Sequence, residues 1–240
     1  MLRYLETGDP VDVLQMVFSE SRPLKGRPWV MLNIVESIDG ATAIDGGASG
    51  LNDADDRQLF LALRAVADIV MNGAETIRAE NLGPVKLSQD MKRHRLEAGM
   101  QDPPTMVVLS RSLTLDPGLR IFSDPERRPK IITSTDVDPQ RQEALEDVAD
   151  IVQIEKLDGT SIIDALGGAA VVLCEGGPTV NSQLIQDGVV DEVNLTISPV
   201  LALGDSKRVA SGSTSATPTK MRLDRRLLGD RSLFLRFVRD

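Results

Sequence analysis

Three glycine- or hydroxyl-rich segments each follow an apolar, β-favouring run of residues, and they carry groups suited to binding an anion. The segments are Gly73-Ala-Glu-Thr76, Ser110-Arg-Ser112 and Glu175-Gly-Gly-Pro-Thr179. Small residues let the backbone approach a ligand, and the N-terminus of a following helix offers free N–H groups. Because ligands bind at the carboxyl ends of the strands in an open α/β sheet, we expect the three segments to meet in one crevice.

The residue types suggest a different role for each segment. Gly73, Ala74 and Thr76 form a weak anion-binding signal on their own. At Gly176 and Gly177 an apolar strand ends, and Pro178 is typical of a first helical residue, so this turn suits a pyrophosphate or is simply a tight turn. The arginine fork between two hydroxyls at 110–112 suits a phosphate monoester, such as the 2′-phosphate of NADPH, or lies in a solvated turn.

Two carboxylates are candidates for proton transfer. Glu175 ends an apolar strand directly before the glycine pair, which favours a role in substrate positioning or proton relay. Asp39, in the turn Ser37-Ile-Asp-Gly40, is a second candidate, and its alternative is an Asx-type turn. Asp53, Asp55 and Asp56 lie in the first turn of a predicted helix, where carboxylates usually cap the helix.

Composition excludes several classes of protein. The single cysteine, Cys174, rules out an internal disulfide and a multi-cysteine zinc site, and we expect no metal. A net charge of −9 argues against broad nucleic-acid binding. The apolar runs are too short to span a bilayer and no secretory signal is evident, so we expect no membrane association and a cytoplasmic location.

Strand and helix patterns alternate along the chain, which predicts an α/β fold in one domain over 1–240, with 1–26 as an N-terminal extension. We expect a mixed, mostly parallel central sheet with helices on both faces. Residues 191–201, 220–223 and 232–238 should add antiparallel C-terminal strands, the last two at an edge and joined through a Gly-, Ser- and Thr-rich stretch at 204–219. The other predicted strands are 29–36, 68–72, 105–110, 130–133, 150–154 and 169–174, and the predicted helices are 53–65, 139–148, 161–166 and 180–186.

Taken together and in order, these segments resemble the reductase domain of bacterial riboflavin-biosynthesis deaminase/reductases. The resemblance spans about 27–238, and ordered co-occurrence makes it more specific than any single motif. It implies a dihydrofolate-reductase-like fold and a homodimer. It is carried by Ser37-Ile-Asp-Gly40, Leu63-Arg-Ala65 with Asp68, Gly73-Ala-Glu-Thr76, Val107-Val-Leu-Ser-Arg111, Glu175-Gly-Gly-Pro-Thr179, Val189-Val-Asp-Glu192 and Ser198-Pro-Val-Leu201.

By this resemblance, NADPH passes a hydride to C1′ of a ribosylaminopyrimidine phosphate, foremost 5-amino-6-(5-phosphoribosylamino)uracil, and gives its ribityl form. Residues 73–76 and 176–180, the latter ending with Thr179 and Val180, would hold the pyrophosphate and nicotinamide side of the cofactor. Ser110, Arg111 and Ser112 would hold the adenosine phosphate. The implied substrate positions are Asn33, Ser49, Arg64, Glu80, Asn81, Lys86 and Glu175.

Two departures from the family pattern keep other functions open. The segment from Glu80-Asn81 to Lys86 replaces Asp-Asp-Pro followed by Leu-Thr-x-Arg, and Asn33 stands where lysine is common. One alternative is a dihydrofolate- or pteridine-type reductase, which must also protonate a ring nitrogen and would be favoured by a carboxylate on the pocket face of the first helix. A second alternative is a noncatalytic NADPH-binding sensor.

Overall fold

The computed structural model describes residues 1–123, 125–210 and 218–240, and within them one ten-stranded sheet forms the centre of the molecule. Its spatial order is β1-β9-β10-β8-β2-β7-β3-β4-β5-β6. All neighbours from β8 to β6 pair parallel, whereas β10 pairs antiparallel with both β8 and β9. The strands are β1 Arg3–Tyr4, β2 Trp29–Ser37, β3 Ile69–Gly73, β4 Thr105–Leu109, β5 Lys130–Ser134, β6 Asp150–Ile154, β7 Val171–Cys174, β8 Glu192–Ser198, β9 Met221–Leu228 and β10 Leu233–Arg239.

Helices cover both faces of this sheet, and the central strand β2 shows why. Trp29 and Met31 of β2 pack into the core on one face, whereas Val30 and Leu32 pack into the core on the other. Successive side chains of a strand point to opposite faces, so a run that is apolar throughout needs cover on both. The predicted fold class is confirmed. The helices are α1 Val13–Ser19, α2 Ala54–Val66, α3 Ala74–Glu80, α4 Gln89–Glu97, α5 Pro139–Glu146, α6 Gly159–Ala165 and α7 Pro178–Gln186. None of the described helices combines the length and apolar character needed to cross a membrane.

Part of the N-terminal segment 1–26 packs into the core of the domain. Strand β1 pairs with β9, and Leu2, Val13 and Val17 are buried in the same cluster as residues of α2. Helix α4 is mostly polar and was not predicted from the sequence. Its Arg95 is fully buried and donates to the carbonyls of Ala65 and Ala67 at the end of α2. Because the buried residue of α4 is an arginine, the helix lacks the regularly spaced apolar residues from which a helix is predicted.

The C-terminal strands are antiparallel as predicted, but β10 lies inside the sheet between β9 and β8 and is not an edge strand. Buried charge pairs explain this placement. Glu192 of β8 is buried beside Arg22 and beside Arg236 of β10, so an ion pair joins the two strands. Burial alone would raise the pKa of Glu192, but the two guanidinium groups lower it to about 2. In the connection predicted at 204–219, residues 211–217 lie outside the described residues.

Candidate active site

A cleft of about 580 Å³ opens at the carboxyl ends of the neighbouring strands β7, β3 and β4. The three segments singled out in the sequence do converge there, as their positions after parallel strands require. The cleft residues contributed by these segments are Gly73, Ala74, Thr76, Ser110, Arg111, Ser112, Glu175, Gly176, Gly177, Pro178, Thr179 and Val180.

Two helices begin at this cleft, and both lack a capping side chain. Helix α3 starts after Gly73 and α7 starts after Gly177, and neither glycine can supply a side-chain acceptor to the first N–H groups. The other five α-helices of the described residues are each capped by an aspartate or serine side chain. Because the first four N–H groups of a helix have no partner within it, the starts of α3 and α7 are left with donors for an anionic ligand.

The two glycine turns contact each other so closely that side chains are excluded. The Gly73 amide donates to the Gly176 carbonyl at 2.7 Å, which joins the ends of β3 and β7. Gly176 has a φ of +102°, a conformation that other residues rarely adopt. A Cβ on Gly177 would lie 2.8 Å from Thr76 Oγ1, closer than real contacts allow. The turn therefore presents bare backbone to the cleft, which fits the close approach of a pyrophosphate.

Between the glycine turns and α2 lies a buried ion pair. Arg64 Nε and Nη2 donate to the two Glu175 carboxylate oxygens at 2.6 and 2.7 Å, and Asn72 Nδ2 donates to Oε2 at 3.0 Å. The Arg64 guanidinium also lies 4.2 Å from the centre of the Phe60 ring. Arg64 is only 8% exposed, so it does not lie on a solvated helix face. Sequence reasoning selected both charged residues but did not pair them.

Asn72 was not among the predicted site residues, yet it lines the cleft beside this pair. Its side chain is fully buried, and its Oδ1 atom has no hydrogen-bond partner among the described residues. A buried polar atom without a partner costs free energy, and a donor on a bound ligand would satisfy it. The sequence signal was its position: Asn72 is the polar residue that ends the apolar run of β3.

At the other end of the cleft, the turn after β4 presents Arg111 to solvent while Ser110 is buried. The Ser112 hydroxyl is 2.9 Å from Thr114 Oγ1. A second guanidinium lies beside this turn, because Arg141 of α5 donates to the Ser112 carbonyl at 3.1 Å and to Thr114 Oγ1 at 2.8 Å. Arg141 lies 30 residues from Arg111 in the sequence, so only the fold brings the two together.

The three carboxylates at the start of α2 have three different environments. Asp53 caps the helix, accepting from the Asp56 amide at 2.8 Å, and Asp55 accepts from the Asp230 amide at 2.9 Å. Asp53 and Asp56 both line the cleft, but only Asp53 caps the helix, so the interpretation of Asp55 and Asp56 as capping residues is wrong. Burial raises the pKa of Asp56, with the Asp53 carboxylate adding to the effect and a hydrogen bond from Thr196 opposing it.

Asp39 lies outside the cleft and is held elsewhere. Its exposed carboxylate accepts from Ser37 Oγ at 2.5 Å and from the amides of Ala202 and Leu203 at 3.0 and 2.8 Å. The Ser37 hydroxyl and the two amides hold the pKa of Asp39 well below its usual range. This geometry does not support the expected catalytic role of Asp39, because its carboxylate links the turn at 37–40 to the loop at 202–203 through hydrogen bonds.

The predicted substrate positions are only partly brought together. Asn33 and Glu80 line the cleft with Arg64 and Glu175. Ser49, Asn81 and Lys86 are exposed and do not line it. Asn81 instead ends α3 in a left-handed conformation with φ of +46°, and its carbonyl accepts from Arg120.

A mostly parallel open sheet, two uncapped helix starts and a side-chain-free glycine turn define an α/β protein with an anion-binding half of its cleft beside a second half lined by polar side chains. The family model of the RibD C-terminal domain matches residues 28–230, and the chain belongs to this family. Its named relatives include reductases, so the family uses a nicotinamide cofactor and carries out oxidoreductase chemistry.

Three similar proteins illustrate the relationship. The 2,5-diamino-6-ribosylamino-4(3H)-pyrimidinone 5′-phosphate reductase of Methanothermobacter thermautotrophicus is 28% identical over 78% of this chain and 85% of its own length. A pyrimidine reductase-like protein from Corynebacterium diphtheriae has a TM-score of 0.85 and 28% identity, covering 96% of this chain and 99% of that one. Acinetobacter baumannii RibD has a TM-score of 0.72 and 26% identity, covering 90% of this chain and 59% of that one.

The glycine contact gives a test of the dinucleotide half. Gly177→Ala is expected to weaken binding of a nicotinamide dinucleotide by about 1 to 3 kcal/mol, because the new Cβ displaces Thr76. Isothermal titration calorimetry measures the change. Gly167→Ala is the control, since its Cβ would make only an ordinary 3.5 Å contact outside the cleft. Unchanged affinity in Gly177→Ala would show that the turn does not hold the cofactor.

Proposed function

We propose that this chain is an NADPH-dependent reductase that converts the ribosylamino group of a pyrimidine 5′-phosphate to a ribitylamino group in riboflavin biosynthesis. The observation that carries the proposal is one cleft in which the uncapped starts of α3 and α7 face the buried Arg64–Glu175 pair. Membership of the RibD C-terminal domain family and the reductase names of relatives support it.

When bound, NADPH supplies a hydride. In the reduction a C–H bond forms at C1′ of the ribosyl group, the bond from C1′ to the ring oxygen breaks, and that oxygen takes up a proton. The protein must therefore fix C1′ against the cofactor and stabilise the positive charge that develops at this carbon. An acceptor group beside the glycine turn meets both needs.

Glu175 is that acceptor in our proposal. Both of its oxygens are held by Arg64 and Asn72, so the carboxylate has one fixed orientation next to the Gly176–Gly177 turn. We assign it to substrate positioning and to charge stabilisation at C1′. Arg64 then acts as a positioning residue rather than as the contact for the substrate phosphate, which we assign to the exposed cleft residue Arg208.

One observation favours a second candidate function. Asp56 is a carboxylate on the cleft face of the first long helix, which is the feature expected of a dihydrofolate- or pteridine-type reductase. NADPH oxidation measured with a ribosylaminopyrimidine phosphate and with dihydrofolate, side by side, decides between the two. We expect oxidation with the ribosylaminopyrimidine phosphate alone. Oxidation with dihydrofolate alone would establish the second candidate, and NADPH binding without oxidation across both would establish a sensor.

The exposed turn after β4 predicts the choice of cofactor. Arg111→Ala is expected to weaken NADPH binding by about 1.5 to 3 kcal/mol and to leave NADH binding nearly unchanged, because only NADPH carries the 2′-phosphate. Titration of both cofactors against wild type and variant measures this. Arg93→Ala, which removes an exposed arginine outside the cleft, is the charge control. Equal affinity of the wild type for NADPH and NADH would contradict the assignment.

Glu175→Gln tests the substrate half of the site. The variant is expected to lower kcat by about 10² to 10⁴ while NADPH affinity stays close to the wild-type value, because the amide removes the charge that faces C1′. Pre-steady-state NADPH oxidation and cofactor titration give the two values. Since Glu175→Gln also leaves Arg64 without its ion pair, thermal unfolding must show that the variant is folded. Normal turnover in folded Glu175→Gln would remove Glu175 from the mechanism.

We further propose that the chain forms a homodimer. Ile38, Leu201 and Leu203 are 62%, 68% and 77% exposed, and Asp39 holds their two loops together, which gives an apolar surface suited to a partner. Light scattering at micromolar concentration is expected to give about twice the chain mass of 26.0 kDa. A single species at the chain mass would count against the dimer.

A further inference from the structure

Asp56 is a buried carboxylate in the cleft that no step of the proposed reduction uses. It is 7% exposed, and the Thr196 side chain of β8 lies beside it and opposes the effect of burial on its pKa. Unlike Glu175, which pairs with Arg64, it forms no ion pair with an arginine or lysine of the described ranges. Burying a carboxylate without a cation is costly, which accounts for its raised pKa and leaves acceptor capacity directed at a ligand.

The position of Asp56 relative to the reacting carbon follows from the helix. Asp56, Phe60 and Arg64 lie four residues apart on one face of α2, and all three line the cleft. This column is about 12 Å long at 1.5 Å rise per residue. One end, at Arg64, meets Glu175 after β7, and the other end, at Asp56, meets Thr196 on β8, with β2 between these strands.

A pyrimidine with its ribosyl carbon at Glu175 would thus extend along the column towards Asp56. Phe60 lies between the two carboxylates along this column, and its half-buried side chain lines the cleft where the heterocycle would pack. Asn33 of β2, next to β8 in the sheet, lines the same part of the cleft and can both donate and accept. The ring edge remote from the sugar then lies against Asp56.

The two pyrimidines considered for this reaction differ on that edge. A 2,5-diamino-4(3H)-pyrimidinone carries a 2-amino group beside the ring N3–H, which makes two adjacent donors for one carboxylate. A 5-aminouracil keeps the N3–H but carries a 2-oxo group beside it, so one Asp56 oxygen would face the 2-oxo oxygen with no proton between them. An ionised carboxylate only accepts hydrogen bonds, so it pairs with the first edge and repels the second.

Building on the proposed function, we propose that Asp56 determines substrate specificity by accepting from the 2-amino group, so that this chain prefers the diaminopyrimidinone over the aminouracil. The substrate first expected from the sequence, 5-amino-6-(5-phosphoribosylamino)uracil, would then be the poorer one. Thr196 orients the carboxylate, and Asp53 is excluded from this role because both of its oxygens already accept from Asp56 N and Ser232 Oγ.

The test compares kcat/KM for the two ribosylamino 5′-phosphates in three proteins. Wild type is expected to prefer the diaminopyrimidinone by at least about tenfold. Asp56→Asn is expected to lose at least about tenfold of that preference, because an amide can donate to the 2-oxo group. Asp55→Asn removes a neighbouring buried carboxylate that lies outside the cleft, and it should keep the wild-type ratio.

The ratio of the kcat/KM values for the two substrates separates a role in specificity from a structural role. A general disturbance of α2 would lower both kcat/KM values together and leave their ratio unchanged. Equal loss on both substrates in Asp56→Asn, or a wild type that does not discriminate, would overturn the inference while leaving the proposed function intact. A wild type that reduces neither compound would overturn both. Should Asp56→Asn fail to fold, Thr196→Val decides: a reduced preference supports the role of Asp56, and an unchanged preference contradicts it.

Discussion

The buried ion pair between Arg64 and Glu175 is the constraint on which the geometry of the cleft depends. It links the last turn of α2 to the residue that follows β7, and the next two residues form the glycine turn. A buried pair of this kind persists only where its geometry is good and its remaining hydrogen-bonding groups find partners. Here the contact is bidentate, Asn72 adds a third donor and Phe60 covers the guanidinium.

This pair separates two chemically different halves of one cleft. On the β3 and β4 side, backbone amides and glycines dominate, and two helix starts supply donors without supplying side chains. On the β2 and β8 side, side chains dominate, with Asn33, Phe60 and Asp56 available to distinguish one heterocycle from another. Such a division suits a reductase. The half that binds the cofactor can be the same for many substrates, whereas the half that binds the substrate must distinguish one heterocycle from another.

The sequence predicted the features that depend on local chemistry. Glycine pairs, a first-turn proline and apolar runs act within a few residues, and they located most of the strands and helices and the glycine turns that line the cleft, but not β1, α1 or α4. It did not predict features that depend on which elements pack together. Whether Asp56 caps α2 or enters the cleft depends on the approach of β8, and whether Arg64 meets a phosphate or Glu175 depends on the placement of β7. The contacts of Asp39 with the amides of Ala202 and Leu203 were not predicted for the same reason, since these residues lie more than 160 positions away in the sequence.

Transfer of deuterium from NADPH labelled at C4 of the nicotinamide tests the central claim most directly, because it follows the hydride to its destination. Product formed from a ribosylaminopyrimidine 5′-phosphate should contain one deuterium, located at C1′ of the ribityl chain by NMR. Cofactor labelled on the opposite face of the same carbon should give unlabelled product and shows which hydrogen is transferred. Product without deuterium from either cofactor, or label found in the pyrimidine ring, would contradict the assignment of this cleft to hydride transfer at the sugar.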